Sequence, residues 1–160
     1  FWLARDLASK LLHLGLSFFE VLALFLLFRP GLFWQTDLFA LLSFVILLAF
    51  ALLTFFFLLT TVSMIPFWLP EQTWPPVFLF LTTTDLLAGG IFPLDVFPEA
   101  IRTLLYLTPF PYLVYVPLKA YLGTSENFLV LGSIVWCLAT FLLMKFVWQR
   151  GLRVYRAEGR

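Results

Sequence analysis

Apolar residues along this chain fall in long unbroken runs and do not alternate with polar ones. A helix needs about 20 mostly apolar residues to cross a bilayer. The first candidate span is 11–28; it follows the charged patch Arg5, Asp6 and Lys10 and stops at the breaker cluster Arg29-Pro30-Gly31. The second, 38–63, carries no charge and ends ahead of Pro66 and Pro70. The third, 74–90, opens on Trp74-Pro75-Pro76, contains Asp85 and closes on Gly89-Gly90. The fourth, 128–147, holds Lys145 near its end, where a long side chain can carry its ammonium to the interface. The pattern predicts an all-α fold, a polytopic membrane helix bundle with four transmembrane helices in a single transmembrane domain.

The stretch Ile91 to Gly123 is different in kind. It is apolar, yet Pro93, Pro98, Pro109, Pro111 and Pro117 interrupt it, and proline both removes a backbone donor and clashes inside a helix. Two short helices, at about 99–107 and 112–122, fit better than one straight span. Irregular backbone at membrane depth survives only when buried in protein or lining a cavity. The segment therefore reads either as a re-entrant or interfacial helical hairpin or as an amphipathic loop on the membrane surface, and periodicity does not separate the two. Residues 148–160 read as a tail, and Arg150, Arg153, Arg156 and Arg160 place it on the cytoplasmic side. Four spans then put both ends of the chain in the cytoplasm. Trp34, Trp68, Trp74 and Trp148 fall at span ends, as an aromatic belt requires. The chain opens on Phe1, and the expectation is the C-terminal part of a longer protein.

Composition agrees with the pattern. Of the 160 residues, 62% are hydrophobic and only 12% charged. A soluble domain carries about 25% charged residues, so an ordinary soluble fold and a disordered chain are both excluded. The runs lack the period of about two that a β-barrel needs. A net charge of +1 offers no footprint for nucleic acid. A single cysteine, Cys137, makes no disulfide framework. One histidine, His13, makes no metal site. No G-x-x-x-x-G-K-[ST] loop is present to cradle a nucleotide.

Ionisable residues inside a membrane are costly and usually face a bundle interior or water. His13 and Glu20 lie seven positions apart, two helical turns, and so share one face of the first span. They read as a polar stripe along a path or, more simply, as interhelical hydrogen bonding. Asp85, with Thr82, Thr83 and Thr84 before it, is either a path-lining group or a hydrogen-bonded residue that fixes the third span. Gly89, Gly90 and Pro93 read as the breaker that ends that span. Ser133, Cys137 and Thr140 form a small-residue face for close helix packing.

Two motif segments carry a resemblance. One is Leu87-Ala88-Gly89-Gly90-Ile91-Phe92-Pro93-Leu94-Asp95-Val96-Phe97-Pro98, followed by Thr108-Pro109-Phe110-Pro111-Tyr112 and Tyr115-Val116-Pro117. The other is Trp148-Gln149-Arg150-Gly151-Leu152-Arg153-Val154-Tyr155-Arg156-Ala157. Together they resemble the permease subunits of ABC-2 type exporters, in particular a bacterial branch with a Gly-x-x-Pro-Leu element and a basic Gly-Leu tail. Arg156 stands where that branch usually has serine, Glu158 falls in a small-residue stretch, and Asp85 is unusual in its span. The resemblance implies a six-span permease of which this chain holds the last four spans, in the bacterial cytoplasmic (inner) membrane. It also implies a second permease, a copy or a paralogue, and separate ABC ATPase subunits that carry ATP and magnesium. No cofactor on this chain, no catalytic residue and no enzymatic activity are implied; membrane lipid is the remaining partner. Arg5, Asp6 and Lys10 would be what is left of the ATPase-facing helix. The rival readings are a lipid-acting membrane enzyme, for which no paired carboxylates or Ser/His/Asp set is found, and an assembly or structural protein.

Overall fold

The computed structural model describes residues 2–28, 34–124 and 127–157; for residues 2–10, 127 and 155–157 it describes backbone alone. The chain divides into two compact units, Phe1–Trp34 and Gln35–Arg160. The first is a single helix, α1 (Trp2–Phe28). Its apolar stretch Leu11–Phe28 is long enough to cross a membrane.

The second unit is built on two long helices, α2 (Leu38–Val62) and α6 (Asn127–Ala157). Asp37 caps α2 by accepting the Phe39 N–H at 3.0 Å, which satisfies one of the donors a helix start leaves unpaired. The chain continues past α2 through a 3-10 turn, Ile65–Phe67. Three short helices separate the long pair: α3 (Pro75–Leu87), α4 (Glu99–Tyr106) and α5 (Tyr115–Tyr121). No strand occurs among the described residues.

α2 and α6 pack more extensively than any other pair of elements. They run parallel. Phe57 of α2 meets Phe141, and further along Phe67 meets Trp148. At the other end Phe44 meets Tyr121, six residues before α6 begins, and Leu47 shares a core with Leu129. Their buried positions explain the fit. α2 buries Ala40, Leu47, Ala51 and Thr54, and α6 buries Leu129, Ser133, Cys137 and Thr140. In lipid there is little hydrophobic drive to join helices, so small residues that let backbones approach carry the packing. Each buried hydroxyl bonds back to a carbonyl of its own helix: Thr54 to Phe50, Ser133 to Leu129, Thr140 to Trp136. The polar atoms are thus satisfied without a cross-helix partner. The large exposed apolar side chains of both helices are mostly leucine, phenylalanine and valine.

One expected span holds a shorter helix than its apolar run. The segment 74–90 contains a helix of 13 residues, about 20 Å long, which is short of the roughly 30 Å hydrocarbon core. Among the described residues three helices are long and apolar enough to span, Leu11–Phe28, Leu38–Phe67 and Phe128–Val154, and the expected fourth span contains a shorter apolar helix. The reason is local. Pro75 and Pro76 set the start of α3. Gly89, in the left-handed region at φ +87, ends it as a glycine C′ residue does. A second refinement concerns the tail, because α6 does not stop at 147 but continues as one helix to Ala157.

Gly132 of α6 marks the tightest point of the hairpin's packing. A Cβ there would fall 2.5–2.7 Å from the Tyr112 ring, which is itself buried. Gly132→Ala is expected to lower stability by about 1–3 kcal/mol through overpacking. Gly15→Ala, where a Cβ meets nothing within 4 Å, is expected to cost nothing or to stabilise α1 slightly. Thermal unfolding of the two variants in detergent checks the contrast.

Candidate functional site

The proline-broken segment folds as two short helices, α4 and α5, joined by a 3-10 turn at Phe110–Tyr112. Each proline stands where its missing N–H does no harm. Pro98 precedes α4, Pro93 precedes the 3-10 turn Leu94–Val96, and Pro109 precedes the Phe110–Tyr112 turn. Pro117 lies in the first turn of α5, buried, where the N–H has no intrahelical acceptor. The hairpin is tied down at three points. The Tyr115 N–H donates to the Ala88 carbonyl at the end of α3, at 3.1 Å. Gln35 donates from Nε2 to the Tyr121 carbonyl at the end of α5, at 2.7 Å. The Tyr112 hydroxyl donates to the Tyr106 carbonyl at the end of α4, at 3.0 Å. Leu94, Tyr112, Tyr115, Val116 and Ala120 are buried against Leu47 and Leu129. Gly89 admits this closure, since a Cβ there would sit 2.7 Å from Leu94 Cδ1 and 3.1 Å from Tyr115 Cβ. At Gly90 a Cβ would meet nothing, so its glycine has no steric role.

A charged cluster crowns the hairpin. Tyr115 donates its hydroxyl to Asp95 Oδ1 at 2.6 Å. The same oxygen lies 3.8 Å from the Arg102 guanidinium and 4.0 Å from the Lys119 ammonium. The Lys119 ammonium also sits 5.1 Å from the centre of the Tyr115 ring, within cation–π reach. Burial first, then the hydrogen bond to Asp95, pushes the Tyr115 phenol well above its ordinary value of 10. Beside the cluster opens a cavity of about 500 Å³. Glu99, Arg102, Thr103 and Lys119 form its polar wall, and Tyr106, Tyr112 and Phe128 its aromatic one.

The residues picked out from the sequence do not converge on this cluster. Asp85 is exposed on α3 and has no side-chain partner among the described residues; Thr82, one turn earlier, is exposed with it. Glu20 is exposed on α1. Of the tail motif, Trp148 and Gly151 pack on the Phe67 ring, and a Cβ at Gly151 would clash with it. Arg150 lies over the Phe146 ring and, like Arg153, is exposed; Leu152 is half-buried. The side chains of Arg5, Asp6, Lys10, Tyr155 and Arg156, and all of Arg29, Glu126, Glu158 and Arg160, lie outside the described residues. Among the described side chains no group of three or more His, Cys, Asp or Glu comes together as metal ligands do.

Sequence reasoning missed the Asp95, Arg102, Tyr115 and Lys119 cluster. Its one local signal is the spacing within α4 and α5, where Glu99 and Arg102, and Tyr115 and Lys119, each share a helix face. The pairing to Asp95 crosses a turn and is invisible to periodicity.

Tyr115→Phe removes a hydrogen bond to a carboxylate and is expected to lower stability by about 1 kcal/mol. The pH dependence follows from the raised phenol. Unfolded chains ionise the tyrosine near 10 while the folded state holds its proton, so the stability it contributes is present below pH 10 and is lost as pH rises past that value. Stability of the wild type should fall more steeply above pH 10 than that of Tyr115→Phe, as read by chemical unfolding at a series of pH values.

A family model described as ABC-2 family transporter protein matches residues 15–159. Nothing matches the chain among the curated proteins or among the solved structures.

Proposed function

The chain belongs to the ABC-2 family of transporter proteins, and from that premise we propose that it is the membrane-spanning permease subunit of an ATP-driven export system. It forms the translocation path with a second permease, a copy or a paralogue, and separate ABC ATPase subunits bind ATP and magnesium. The chain itself is a transporter component and binds no nucleotide in this scheme.

The parallel run of α2 and α6 is the observation that supports a path-forming architecture. If both cross the bilayer in one direction, the chain between them must come back. α3, with the turns that flank it, makes that return as the fourth crossing. With α1 as a further crossing, both ends lie on one face. Arg150, Arg153 and Lys145 support a cytoplasmic placement of that face in the proposed bacterial inner membrane. Trp68 and Trp148 both pack on Phe67 at the same end of the α2/α6 pair, as an interfacial aromatic belt requires. The hairpin then lies on the outer side.

Asp85 and Thr82 share the outward face of α3. A carboxylate facing lipid costs about 2.5–3.5 kcal/mol, so this face calls for a polar neighbour. The path at the seam with the second permease supplies one. Glu20, two turns from His13 on α1, lines the path in the same way. The patch Arg5, Asp6 and Lys10 faces the ATPase.

The decisive experiment is co-purification of the full-length protein with its ATPase and vanadate-sensitive ATP hydrolysis by the complex. A full-length permease that associates with no ATPase defeats the reading. Within a working complex, Asp85→Asn is expected to reduce export several-fold at unchanged expression. Asp85→Leu is expected to leave stability unimproved; a gain approaching about 2.5–3.5 kcal/mol would place Asp85 against lipid instead of the path.

A further inference from the structure

The cavity beside the hairpin has a chemistry that transport by itself does not account for. Arg102 and Lys119 both approach one oxygen of Asp95, at 3.8 and 4.0 Å, distances too long for hydrogen bonds. Neither cation has a hydrogen-bond acceptor among the described residues, so the donors of a guanidinium and an ammonium are unspent. Both side chains are largely withdrawn from water, with 34% and 22% of their surface exposed. Their shared neighbour holds the two cationic nitrogens no more than about 8 Å apart, a span that one phosphate group bridges with a hydrogen bond of about 2.8 Å on each side.

Glu99 stands one helical turn before Arg102 on the same wall of the cavity, and its carboxylate has no ion pair among the described residues. The wall thus presents two cations and then an anion. Aromatic rings also line the cavity, and one of them, Phe128, is the first residue of the apolar span of α6. The cavity therefore opens at the level where hydrocarbon begins. α4 also exposes Ile101 and Leu104, and Leu107 just after it lines the cavity, apolar surface suited to acyl chains. At about 500 Å³ the cavity is of the size that holds a small polar ligand.

We propose that this cavity binds the headgroup of a zwitterionic phospholipid bearing a primary amine. The phosphate sits between Arg102 and Lys119, and the ammonium pairs with Glu99. The glycerol and the first methylenes run along Tyr106 and Phe128 towards the bilayer. Asp95 and Tyr115 position the two cations. The proposal depends on the membrane placement of the chain and not on the cargo or direction of transport.

The test is lipid retention measured by native mass spectrometry on the full-length protein in its complex, released from nanodiscs of equal parts phosphatidylethanolamine, phosphatidylglycerol and phosphatidylcholine. Phosphatidylethanolamine is expected to be retained over each of the others by roughly tenfold, the equivalent of 1.4 kcal/mol. R102Q/K119Q is expected to lose that retention while keeping its helical content and melting temperature. If the double variant does not fold, R102Q alone must still weaken retention. E99Q is expected to keep phospholipid but to lose the preference for phosphatidylethanolamine over phosphatidylglycerol. Unchanged retention in a folded cation variant overturns the proposal, as does equal retention of the three lipids by the wild type. Saturable binding of inorganic phosphate to delipidated protein that retains no phospholipid assigns the cavity to a water-soluble phosphate ligand, and overturns it equally.

Discussion

Two helices that lie side by side and run in the same direction cannot follow one another directly along a chain. α2 and α6 are such a pair, and most of the second unit follows from that constraint. The chain that links them has to travel from the Phe67 end of the pair to the Leu129 end. It does so in short pieces, α3, α4 and α5, because glycine and proline stop each one after a few turns. The pair itself holds because small residues, alanine, serine, cysteine and threonine, are buried along it beside Leu47 and Leu129, so the backbones approach closely.

Polar atoms are handled in two ways in this unit. On the long helices each buried hydroxyl turns back to its own backbone and asks nothing of its neighbours. In the hairpin, by contrast, polar groups reach across elements. Gln35 closes the end of α5, Tyr112 closes the end of α4, and Tyr115 joins α5 to Asp95. The long helices are thereby left as apolar surfaces fit for lipid, while specific polar chemistry is concentrated at one end of the molecule. There Arg102, Lys119 and Glu99 share a cavity with aromatic rings.

Much of this was legible from residue order. The runs 11–28 and 38–63 and the start of the last helix are where the apolar pattern puts them. The two helices expected in the broken segment, at about 99–107 and 112–122, lie close to α4 and α5. Gly89 ends α3 through its positive φ, a property of the residue itself. Ser133, Cys137 and Thr140 were readable as a packing face because their spacing is helical. The length of α3 was legible only through its breakers, Pro75-Pro76 and Gly89, which limit its helix to 13 residues. Gly151 looked like part of a tail motif, and its place under the Phe67 ring is a tertiary fact.

By itself, then, the amino-acid order determined the class, the helical character, the family and the positions of the breaks. The class, the helical character and the breaks depend on local quantities, hydropathy summed over a window and the backbone preferences of glycine and proline, while the family rests on the resemblance of the motif segments. Only the tertiary structure decided that α2 and α6 run parallel, and that Asp95 draws Arg102, Tyr115 and Lys119 together. Direction of packing and convergence of charges depend on contacts between residues far apart in the chain. Such contacts are set by which small side chains admit a neighbour's backbone, and no periodicity within one segment records them.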